Sequence, residues 1–374
     1  MKLPTISYLT DVYFGSGEIE SLSQILDQCG LQRPLVVTDE GLLQLGMVDR
    51  LGIVPQGVFS DIPTNPTEGS VLAGLSVYRE QQCDGVVALG GGSPLDCAKC
   101  ISLLATHPGP LEQYALIRGG ASRITANKPP VIAIPTTAGT GSEVGRAALV
   151  TLQSGCKLGV ISKHMIPTAA LCDPQLTIDM PPQLTAATGM DAISHCVETY
   201  CSPKFNPVAD AIALDGLERA WRALPATLEA PGDIEARSQM MMAALQGALA
   251  FQKGLGLIHS LSHPLGALTE KRLHHGTLNA VFLPHVIRFN AAACPDKLAA
   301  MGDVVGIKDG SERLADAFAA LNERIGMPAT LRDMGMSEQD LEGIAEAAVE
   351  DHSTPSNPRP LTVEDCRSVL TAAF

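Results

Sequence analysis

Short runs rich in β-branched residues alternate with helical stretches through the first half of the chain, and this alternation constrains the fold most strongly. Apolar runs lie at 34–40, 54–59, 84–92 and 131–137, and each ends in turn-forming or glycine-rich residues. Stretches with apolar residues at helical spacing lie between the second and third runs and again after the third. This order predicts an α/β fold in which a parallel sheet is covered by helices on both faces.

The second half of the chain has a different pattern of long, Ala-rich, amphipathic segments. These segments occupy 184–200, 209–224, 236–251, 314–326 and 337–349. The β-branched runs fade there, which predicts an all-α domain. A chain of 374 residues exceeds the usual size of one hydrophobic core, and two prolines interrupt the segment 179–185. We therefore predict an α/β domain over 1–183 and a helical domain over 184–374.

Charge and cysteine content exclude several classes of partner. The chain has 26 basic and 40 acidic residues, for a net charge of −14, and such a chain repels phosphate backbones. Its N-terminal stretch lacks the apolar core of a signal peptide, and no uninterrupted apolar run is long enough to span a bilayer. Ten mostly isolated cysteines in apolar contexts are typical of reduced thiols. We expect a cytoplasmic protein that binds neither nucleic acid nor membranes.

A triple-glycine turn is the first candidate binding feature. In DGVVALGGGSPLDCAK an apolar strand runs into Gly90, Gly91 and Gly92, followed by Ser93 at the expected N-cap and Pro94 at the first helical position. Glycines allow close backbone approach, and the helix start supplies free N–H groups, so the turn could cradle a phosphate. The motif matches neither G-x-G-x-x-G nor a Walker A loop. A plain tight turn is the alternative.

Two further segments carry candidate nucleotide contacts. PTTAGTGSE at 135–143 offers the hydroxyls of Thr136, Thr137, Thr140 and Ser142, although it could also be a loop that caps a helix with the help of Glu143. Asp39 lies at the end of the first apolar run, where a carboxylate can bind a ribose diol and repel a 2′-phosphate. An N-cap on the next helix is the alternative for Asp39.

Histidines cluster in three short segments of the helical half. GMDAISHCVE at 189–198 places Asp191 and His195 one helical turn apart, GLIHSLSHPLG contributes His259 and His263, and LHHGTLNA contributes a pair of adjacent histidines. Five of the nine histidines lie in these segments. Burying so many imidazoles is costly without a shared ligand, and one carboxylate with several imidazoles suits Zn²⁺ or Fe²⁺.

Taken together, these segments resemble the signature blocks of the iron-containing (group III) alcohol dehydrogenase family. GGGSPLDCAK, PTTAGTGSEV, GMDAISHCVETY, GLIHSLSHPLGAL and HHGTLNAV follow the family's order along nearly the whole chain. The resemblance implies a dehydroquinate synthase-like architecture, with a Rossmann-like nucleotide-binding domain, a helical domain and a metal in the cleft between them. It also implies an NAD-dependent, metal-containing oxidoreductase that works as a homo-oligomer, a dimer or a larger assembly.

The resemblance also implies roles for individual residues. It places the ligands of a divalent metal, Fe²⁺ or Zn²⁺, at Asp191, His195, His259 and His275, and a catalytic histidine at His263. It places the NAD contacts at Asp39, Asn65, Gly91, Gly92, Ser93, Asp96, Thr136, Thr137, Thr140 and Lys157. The adjacent His274 makes the fourth metal ligand ambiguous, and the following Gly276 favours His275.

For the substrate, the blocks are most similar to those of 4-hydroxybutyrate dehydrogenases. Arg146 occupies a place where simple-alcohol members usually carry an uncharged residue, and it could pair with a substrate carboxylate. A surface arginine paired with a local acid is the alternative. The expected reaction interconverts 4-hydroxybutyrate and succinate semialdehyde. A general short-chain alcohol or diol dehydrogenase is the alternative function, and a dehydroquinate synthase-like lyase would need more Lys and Arg than 240–290 provides.

Overall fold

The structure is a computed structural model that describes residues 10–268, 270–271, 273–308 and 310–374. The described chain divides into two compact units. One is an α/β unit that contains the described residues up to Thr137 together with Gly141–Thr177. The other is a helical unit formed by Ile178–Phe374 together with Ala138–Thr140. The predicted α/β and all-α fold class is confirmed, while the division into domains at 1–183 and 184–374 stays a prediction.

The α/β unit is built on a sheet of six parallel strands. Its elements in chain order are β1 (Asp11–Phe14), α1 (Leu22–Gln28), β2 (Pro34–Val37), α2 (Glu40–Gln44), β3 (Gly57–Phe59), α3 (Glu68–Glu80), β4 (Gly85–Gly90), α4 (Gly92–Thr106), β5 (Val131–Pro135), β6 (Ala147–Thr151), β7 (Lys157–Ile161) and β8 (Ala169–Cys172). The strand order is β1-β8-β5-β4-β2-β3. The four apolar runs of the sequence are β2, β3, β4 and β5, as predicted.

Alternate residues of the central strands pack into two different apolar layers. On β2, Leu35 and Val37 face the layer that contains α3 and α4, whereas Val36 faces the layer that contains α1. β4 divides in the same way, with Val86 on one side and Val87 on the other. Because both faces are buried, these strands are apolar at every position rather than at every second one.

Four strands were not predicted from the sequence. β1 lies at an edge of the sheet, and β8 is an Ala-rich strand without the β-branched run used for recognition. β6 and β7 form an antiparallel hairpin directly after the threonine-rich segment. Residues 138–146 form turns and bends that lead into β6, so the alternative interpretation, a loop that caps a following helix with the help of Glu143, is wrong.

The helical unit is arranged around one long buried helix. Its helices are α5 (Pro182–Cys201), α6 (Pro207–Glu229), α7 (Ile234–Ala250), α8 (Leu257–Gly266), α9 (His275–Asn290), α10 (Pro295–Val305), α11 (Ser311–Arg324), α12 (Ile344–Glu350) and α13 (Val363–Ala373). α5 packs against α6, α7 and α9, and its residues from Thr185 to Thr199 are buried. Polar residues on α5 therefore lie in the interior of the unit.

The predicted helix over 337–349 is divided into two parts. A short 3₁₀ helix at Glu338–Leu341 precedes α12, and Gly343 lies between them with a φ of +75°. This left-handed conformation is accessible to glycine and ends the first segment. Across the part of the chain that the structure describes, no helix is both long and apolar enough to cross a membrane.

Candidate functional site

α5 supplies a carboxylate and an imidazole to the interior of the helical unit. Asp191 and His195 are four residues apart on this helix, so their side chains lie on the same face. Asp191 Oδ1 lies 3.5 Å from His195 Nε2, and both side chains are about 5% exposed or less. An isolated buried carboxylate would be strongly destabilising, so this pair requires further partners.

Two more imidazoles reach the same carboxylate oxygen from α8 and α9. Nε2 of His259 lies 3.6 Å from Asp191 Oδ1, and Nε2 of His275 lies 3.7 Å from it. His275 is the first residue of α9, and His274 is its N-cap. The structure therefore brings the three imidazoles that the resemblance implied as metal ligands to the same oxygen of the implied carboxylate ligand, Asp191.

Gly276 explains how α9 approaches α5 so closely. A Cβ at this position would collide with the backbone carbonyl of Ala187 and would lie 3.3 Å from the Cβ of Asp191. Only glycine leaves room for α9 at this distance from α5. The glycine that follows His275 in the sequence is therefore a packing requirement of the cluster.

Asn279 lies within hydrogen-bonding distance of three of the four side chains. Its Nδ2 lies 2.8 Å from Asp191 Oδ1, 3.3 Å from His259 Nε2 and 3.2 Å from His275 Nε2. Sequence reasoning missed this residue. The signal was its position one helical turn after His275 in HGTLNA, on the same face of α9.

Asp191, His195 and His259 offer ligand atoms that all lie within 4.8 Å of one another, and His275 approaches the same carboxylate oxygen, so the donor set suits a transition metal. With metal–ligand bonds of about 2.0–2.2 Å, tetrahedral donors lie about 3.3–3.6 Å apart. The three separations of 3.5–3.7 Å between the carboxylate oxygen and the imidazole nitrogens are close to that spacing. Three imidazoles and one carboxylate match the preferences of Fe²⁺ and Zn²⁺ better than those of Mg²⁺ or Ca²⁺.

Glu198 orients one of these imidazoles. Its Oε2 lies 2.7 Å from His259 Nδ1, and the carboxylate also accepts backbone N–H groups from Gly256 and Ile258 at the start of α8. A carboxylate on the second ring nitrogen fixes the tautomer so that Nε2 faces the cluster. Glu198 was not predicted, although it lies three residues after His195 and shares its helix face.

His263 lies beside the cluster with a carboxylate of its own. Its Nδ1 is 2.9 Å from Asp351 Oδ2, and its ring stacks on His275 with a centroid distance of 5.3 Å. Its ring also stacks on His352, with a centroid distance of 5.1 Å. Asp351 and His352 come from the turn after α12 and were not predicted, because 88 residues separate Asp351 from His263.

The electrostatics of the cluster follow from burial and from close contacts between charges. Burial opposes the charged form of Asp191, but the neighbouring imidazoles outweigh it and hold the pKa of this carboxyl well below its usual range. Burial lowers the pKa of His195 to about 4. For His259, burial is outweighed by the carboxylates of Asp191 and Glu198, which raise its pKa to about 9.

In the α/β unit, the triple-glycine turn joins β4 to α4. Gly91 is the N-cap of α4 and the helix begins at Gly92, two residues before the predicted start, so Ser93 and Pro94 are the second and third helical residues. Ser93 is not the N-cap because its hydroxyl donates instead to the carbonyl of Thr64. A Cβ on Gly91 would lie 3.2 Å from Thr137, which shows how closely the turn and the threonine-rich segment approach each other.

Other predicted nucleotide contacts lie around this turn. Lys157 Nζ, at the start of β7, donates to Asn65 Oδ1 at 2.9 Å. The backbone N–H of Thr136 donates to the carbonyl of Gly90 at 3.0 Å. Asn65 is thus bonded to Lys157 and follows Thr64, the partner of Ser93, while Thr136 is bonded to the residue before Gly91.

The other predicted residues, Asp39, Thr140, Asp96 and Arg146, lie at separate positions in the fold. Asp39 is the N-cap of α2, where its Oδ1 accepts the N–H of Leu42 at 2.9 Å. Thr140 belongs to the short segment grouped with the helical unit. Asp96 on α4 accepts hydrogen bonds from Ser142 and from the N–H of Leu149. Arg146 is an exposed residue directly before β6.

Known proteins are similar to this chain over nearly its whole length. Residues 10–174 match the model of the iron-containing alcohol dehydrogenases, and residues 185–374 match the C-terminal model of the Fe-containing alcohol dehydrogenase family. A 4-hydroxybutyrate dehydrogenase of Cupriavidus necator is 47% identical over 98% of this chain and 98% of its own. A 1,3-propanediol dehydrogenase of Klebsiella pneumoniae is 37% identical over 97% of this chain and 96% of its own.

Solved structures agree with these sequence relatives. A 1,3-propanediol oxidoreductase superposes with a TM-score of 0.94 at 37% identity, covering 99% of this chain and 100% of the other. The sulfoacetaldehyde reductase from Bifidobacterium kashiwanohense, solved in complex with NAD⁺, has a TM-score of 0.90 at 28% identity, covering 100% and 99%. The resemblance seen in the sequence is confirmed: the chain belongs to the iron-containing alcohol dehydrogenase family and is an oxidoreductase.

Proposed function

We propose that this protein is a metal-dependent NAD(H) oxidoreductase that interconverts 4-hydroxybutyrate and succinate semialdehyde. One observation carries the proposal: a buried carboxylate and three imidazoles converge in a chain that is 47% identical to a 4-hydroxybutyrate dehydrogenase over 98% of its length. A protein with only a structural role would not need a buried cluster of this composition beside a further, separately oriented histidine.

Asp191, His195, His259 and His275 would hold the divalent metal, Fe²⁺ or Zn²⁺. When bound there, the metal acts as a Lewis acid that lowers the pKa of the substrate alcohol. Asp191 provides a full negative charge against the cation, and Glu198 keeps Nε2 of His259 directed into the cluster. Asn279 donates to Asp191 and limits the rotation of that carboxylate.

His263 is the proposed catalytic histidine. Asp351 accepts a hydrogen bond from its Nδ1, so Nε2 is the nitrogen that remains for a proton of the substrate. Stacking between His275 and His352 holds the plane of the ring. His263 would accept the alcohol proton at Nε2 or orient the substrate hydroxyl through that atom.

The α/β unit would bind NAD, which supplies the hydride acceptor in alcohol oxidation. Gly91, Gly92 and Ser93 would receive the pyrophosphate at the start of α4, where free N–H groups and the helix dipole favour an anion. Asp39 would bind the adenosine ribose and disfavour the 2′-phosphate of NADP. The remaining predicted contacts, Asn65, Asp96, Thr136, Thr137, Thr140 and Lys157, would bind the nicotinamide half or shape its surroundings.

Arg146 is the proposed contact for the substrate carboxylate. Its guanidinium could form a two-point pair with a carboxylate, an interaction that a simple alcohol does not offer. Arg146→Met should raise KM for 4-hydroxybutyrate at least about tenfold more than KM for butanol, since a charge-assisted hydrogen bond contributes about 1.5–3 kcal/mol. Steady-state kinetics with both substrates test this assignment, and equal changes in both KM values would refute it.

A general short-chain alcohol or diol dehydrogenase is the second candidate. It is favoured by the 37% identity to 1,3-propanediol dehydrogenases and by the TM-score of 0.94 to a 1,3-propanediol oxidoreductase. The deciding experiment is metal analysis of the purified protein together with a screen of short alcohols, diols and ω-hydroxy acids against NAD and NADP. Higher kcat/KM for 1,3-propanediol than for 4-hydroxybutyrate would favour the second candidate, and no NADH from any alcohol would refute both.

We further propose that the protein acts as a homo-oligomer, a dimer or larger, in the cytoplasm. Eight of the ten cysteines are buried as free thiols, which suits a reducing compartment. Light scattering on the purified protein measures the oligomeric state directly, and a monomer at micromolar concentration would contradict the first part of this proposal.

A further inference from the structure

A second group of possible metal ligands lies in the helical unit, next to the cluster around Asp191. His263 on α8 and the adjacent residues Asp351 and His352 after α12 each offer one ligand atom, and these three atoms all lie within 4.8 Å of one another. Asp351 Oδ2 lies 2.9 Å from His263 Nδ1 and 3.6 Å from His352 Nδ1. One carboxylate oxygen therefore faces two imidazole nitrogens.

The carboxylate of Asp351 is held in place by the backbone. Its Oδ1 accepts the N–H of Ser353 at 2.8 Å, which leaves Oδ2 directed at the two rings. The side chains of Asp351 and His263 are only 12% and 9% exposed, so neither has much freedom to rotate. Carboxylates that bind metals are commonly fixed by such a second hydrogen bond. The orientation of Asp351 is therefore that of a preformed ligand.

The mutual arrangement of the two imidazoles also resembles that of two ligands proposed for the first metal. The rings of His263 and His352 stack with a centroid distance of 5.1 Å and an interplanar angle of 15°. The rings of His195 and His259, beside Asp191, stack with a centroid distance of 4.8 Å and an angle of 18°. In each pair, two nearly parallel imidazoles contact one carboxylate oxygen.

Donor chemistry and access favour Zn²⁺ at this second group. Two imidazoles and one carboxylate form the donor set of zinc sites that keep a fourth position for water. His352 is 24% exposed and His263 is 9% exposed, so a cation from solution would arrive from the side of His352. Enzymes with two metal ions hold them as close as about 3.5–4 Å, so the neighbouring cluster around Asp191 does not exclude a second cation.

We propose that His263, Asp351 and His352 form a second, inhibitory zinc site, which fills after the cluster around Asp191. In the proposed reaction, Asp351 accepts the proton on Nδ1 of His263, and Nε2 remains for the alcohol proton. Zn²⁺ binds through the lone pair of Nδ1, so the proton of the neutral ring has to occupy Nε2 instead. With Nε2 protonated, His263 no longer accepts the alcohol proton.

Two parts of this inference have different foundations. The site itself stands on the geometry of the three side chains. The loss of turnover rests on the proposed function, in which His263 accepts the substrate proton. The proton changes from one ring nitrogen to the other without leaving the ring, so the step needs no co-reactant besides Zn²⁺.

The first test counts bound zinc in full-length protein that already holds one equivalent of Zn²⁺ per chain. Equilibrium dialysis against increasing free Zn²⁺, followed by elemental analysis, should show a second equivalent in the wild type. His352→Phe keeps an aromatic ring against His263 but lacks a ligand nitrogen. It should bind the second equivalent at least about tenfold more weakly, since loss of even an outer partner of a ligand costs about 10–100-fold in metal affinity.

The second test measures NADH formation from 4-hydroxybutyrate in the same samples. For each protein, kcat at saturating free Zn²⁺ is divided by kcat at one equivalent, so that any effect of the substitution on activity cancels. The wild type should lose about 10²–10⁴-fold, the usual contribution of a general acid–base group, and should recover when free Zn²⁺ is lowered again. His352→Phe should keep its own activity at the Zn²⁺ concentration that inhibits the wild type.

His164→Phe is the matched control, because it makes the same substitution at another half-buried histidine, in the α/β unit. It should bind the second equivalent of zinc and be inhibited like the wild type. Loss of the second equivalent in His164→Phe as well as in His352→Phe would show that the effect is not specific to the proposed site and would overturn the inference.

The remaining outcomes separate the inference from the proposed function. A wild type that binds one zinc only, or binds a second without loss of turnover, overturns the inference and leaves the proposed dehydrogenase activity standing. Absence of NADH formation at one equivalent refutes that activity, while the zinc count still tests the site. If His352→Phe does not fold, His263→Ala decides the count, and a second equivalent bound as tightly as in the wild type overturns the inference.

Discussion

At the scale of single residues, the two histidines of α8, which lie one helical turn apart, have different surroundings. His259 has Asp191 and Asn279 on one side of its ring and Glu198 on the other. His263 has Asp351 on Nδ1 and two stacked imidazoles on its faces. The first arrangement is suited to holding a cation, and the second is suited to holding a proton at a defined atom.

Alanine variants of these two residues should therefore fail in different ways. His259→Ala removes one of four donors and should reduce bound metal to below about a tenth of wild type, with activity lost in parallel. His263→Ala should retain metal and lose about 10²–10⁴-fold in kcat, the usual contribution of a general acid–base group. Metal content by mass spectrometry and steady-state kinetics on the same samples check both expectations.

His285→Ala serves as the control, because His285 lies on α9 away from the cluster and is only partly buried. It should keep both metal and activity. Full metal-dependent activity in His259→Ala would contradict its assignment as a ligand, and metal loss in His263→Ala would contradict the separation of roles.

Glu143 should make the free energy of unfolding depend on pH. It is a buried carboxyl, and burial raises its pKa from 4.5 to about 7. The folded protein therefore holds this proton at pH values where the unfolded chain has released it, so stability falls as the pH rises from about 4.5 to about 7. Glu143→Gln removes this dependence.

Urea unfolding at pH 5.5 and pH 8.5 tests the effect. Over this range the wild type should lose about 2 kcal/mol more in free energy of unfolding than Glu143→Gln, at about 1.4 kcal/mol per pH unit below a pKa near 7. Glu80→Gln, which removes an exposed carboxylate from the same unit, controls for the change in net charge. Parallel pH profiles for wild type and Glu143→Gln would refute this account.

At the scale of elements, the cluster depends on how three helices pack against one another, because their ligand side chains must meet at the same level along the helix axes. α5 supplies two of the four side chains, and α8 and α9 supply one each. No single helix could place four donors around one point, because successive turns move a side chain about 5.4 Å along the axis. The distance between α5 and α9 is therefore as important as the identity of the ligands.

Gly276→Ala tests this distance without touching a ligand. Alanine is a better helix former than glycine, so an intrinsic propensity effect would stabilise α9. The added Cβ would instead meet the carbonyl of Ala187 and push α9 away from α5. We expect metal affinity to fall at least about tenfold and stability to fall by about 1–3 kcal/mol.

Gly232→Ala is the matched control, since an added Cβ at Gly232 meets nothing within 4 Å. Metal titration of the apo forms compares the two variants. A Gly276→Ala protein that binds metal like the wild type would show that the α5–α9 approach can relax, against the argument made from the contact with Ala187.

At the scale of the whole molecule, the two units have separate proposed tasks, with the metal in the helical unit and NAD in the α/β unit. Removal of the metal should therefore destabilise the helical unit more than the α/β unit. Chelation should increase hydrogen exchange in α5, α8 and α9, while β2, β4 and β5 should keep their protection. A metal present at about a thousand times its Kd stabilises by about 4 kcal/mol, so Tm should fall on the order of 10 °C.

Hydrogen exchange with mass spectrometry before and after chelation measures this pattern, and re-addition of metal is the control for reversibility. A uniform rise in exchange across both units would contradict the assignment of the metal to the helical unit. NAD addition should have the complementary effect and protect the glycine turn at the start of α4.

The sequence determined those features that depend on neighbours along the chain. The apolar runs of β2 to β5 and the glycine turn are contiguous segments of the sequence, and the spacing of Asp191 from His195 follows from the helical period of 3.6 residues. The family relationship could also be recognised at this level, because its motifs are contiguous segments. Asn279 and Glu198 were within reach of the same helical spacing, but they were overlooked.

Only the tertiary structure decided which distant groups meet. The contact of Asp351 with His263 joins residues 88 positions apart, and the contact of Lys99 with Ser142 joins residues 43 apart. Edge strand β1 and the Ala-rich strand β8 likewise acquire their pairing from neighbours rather than from their own residues. Local periodicity specifies the face on which a side chain lies, whereas the packing of whole elements specifies what that face touches.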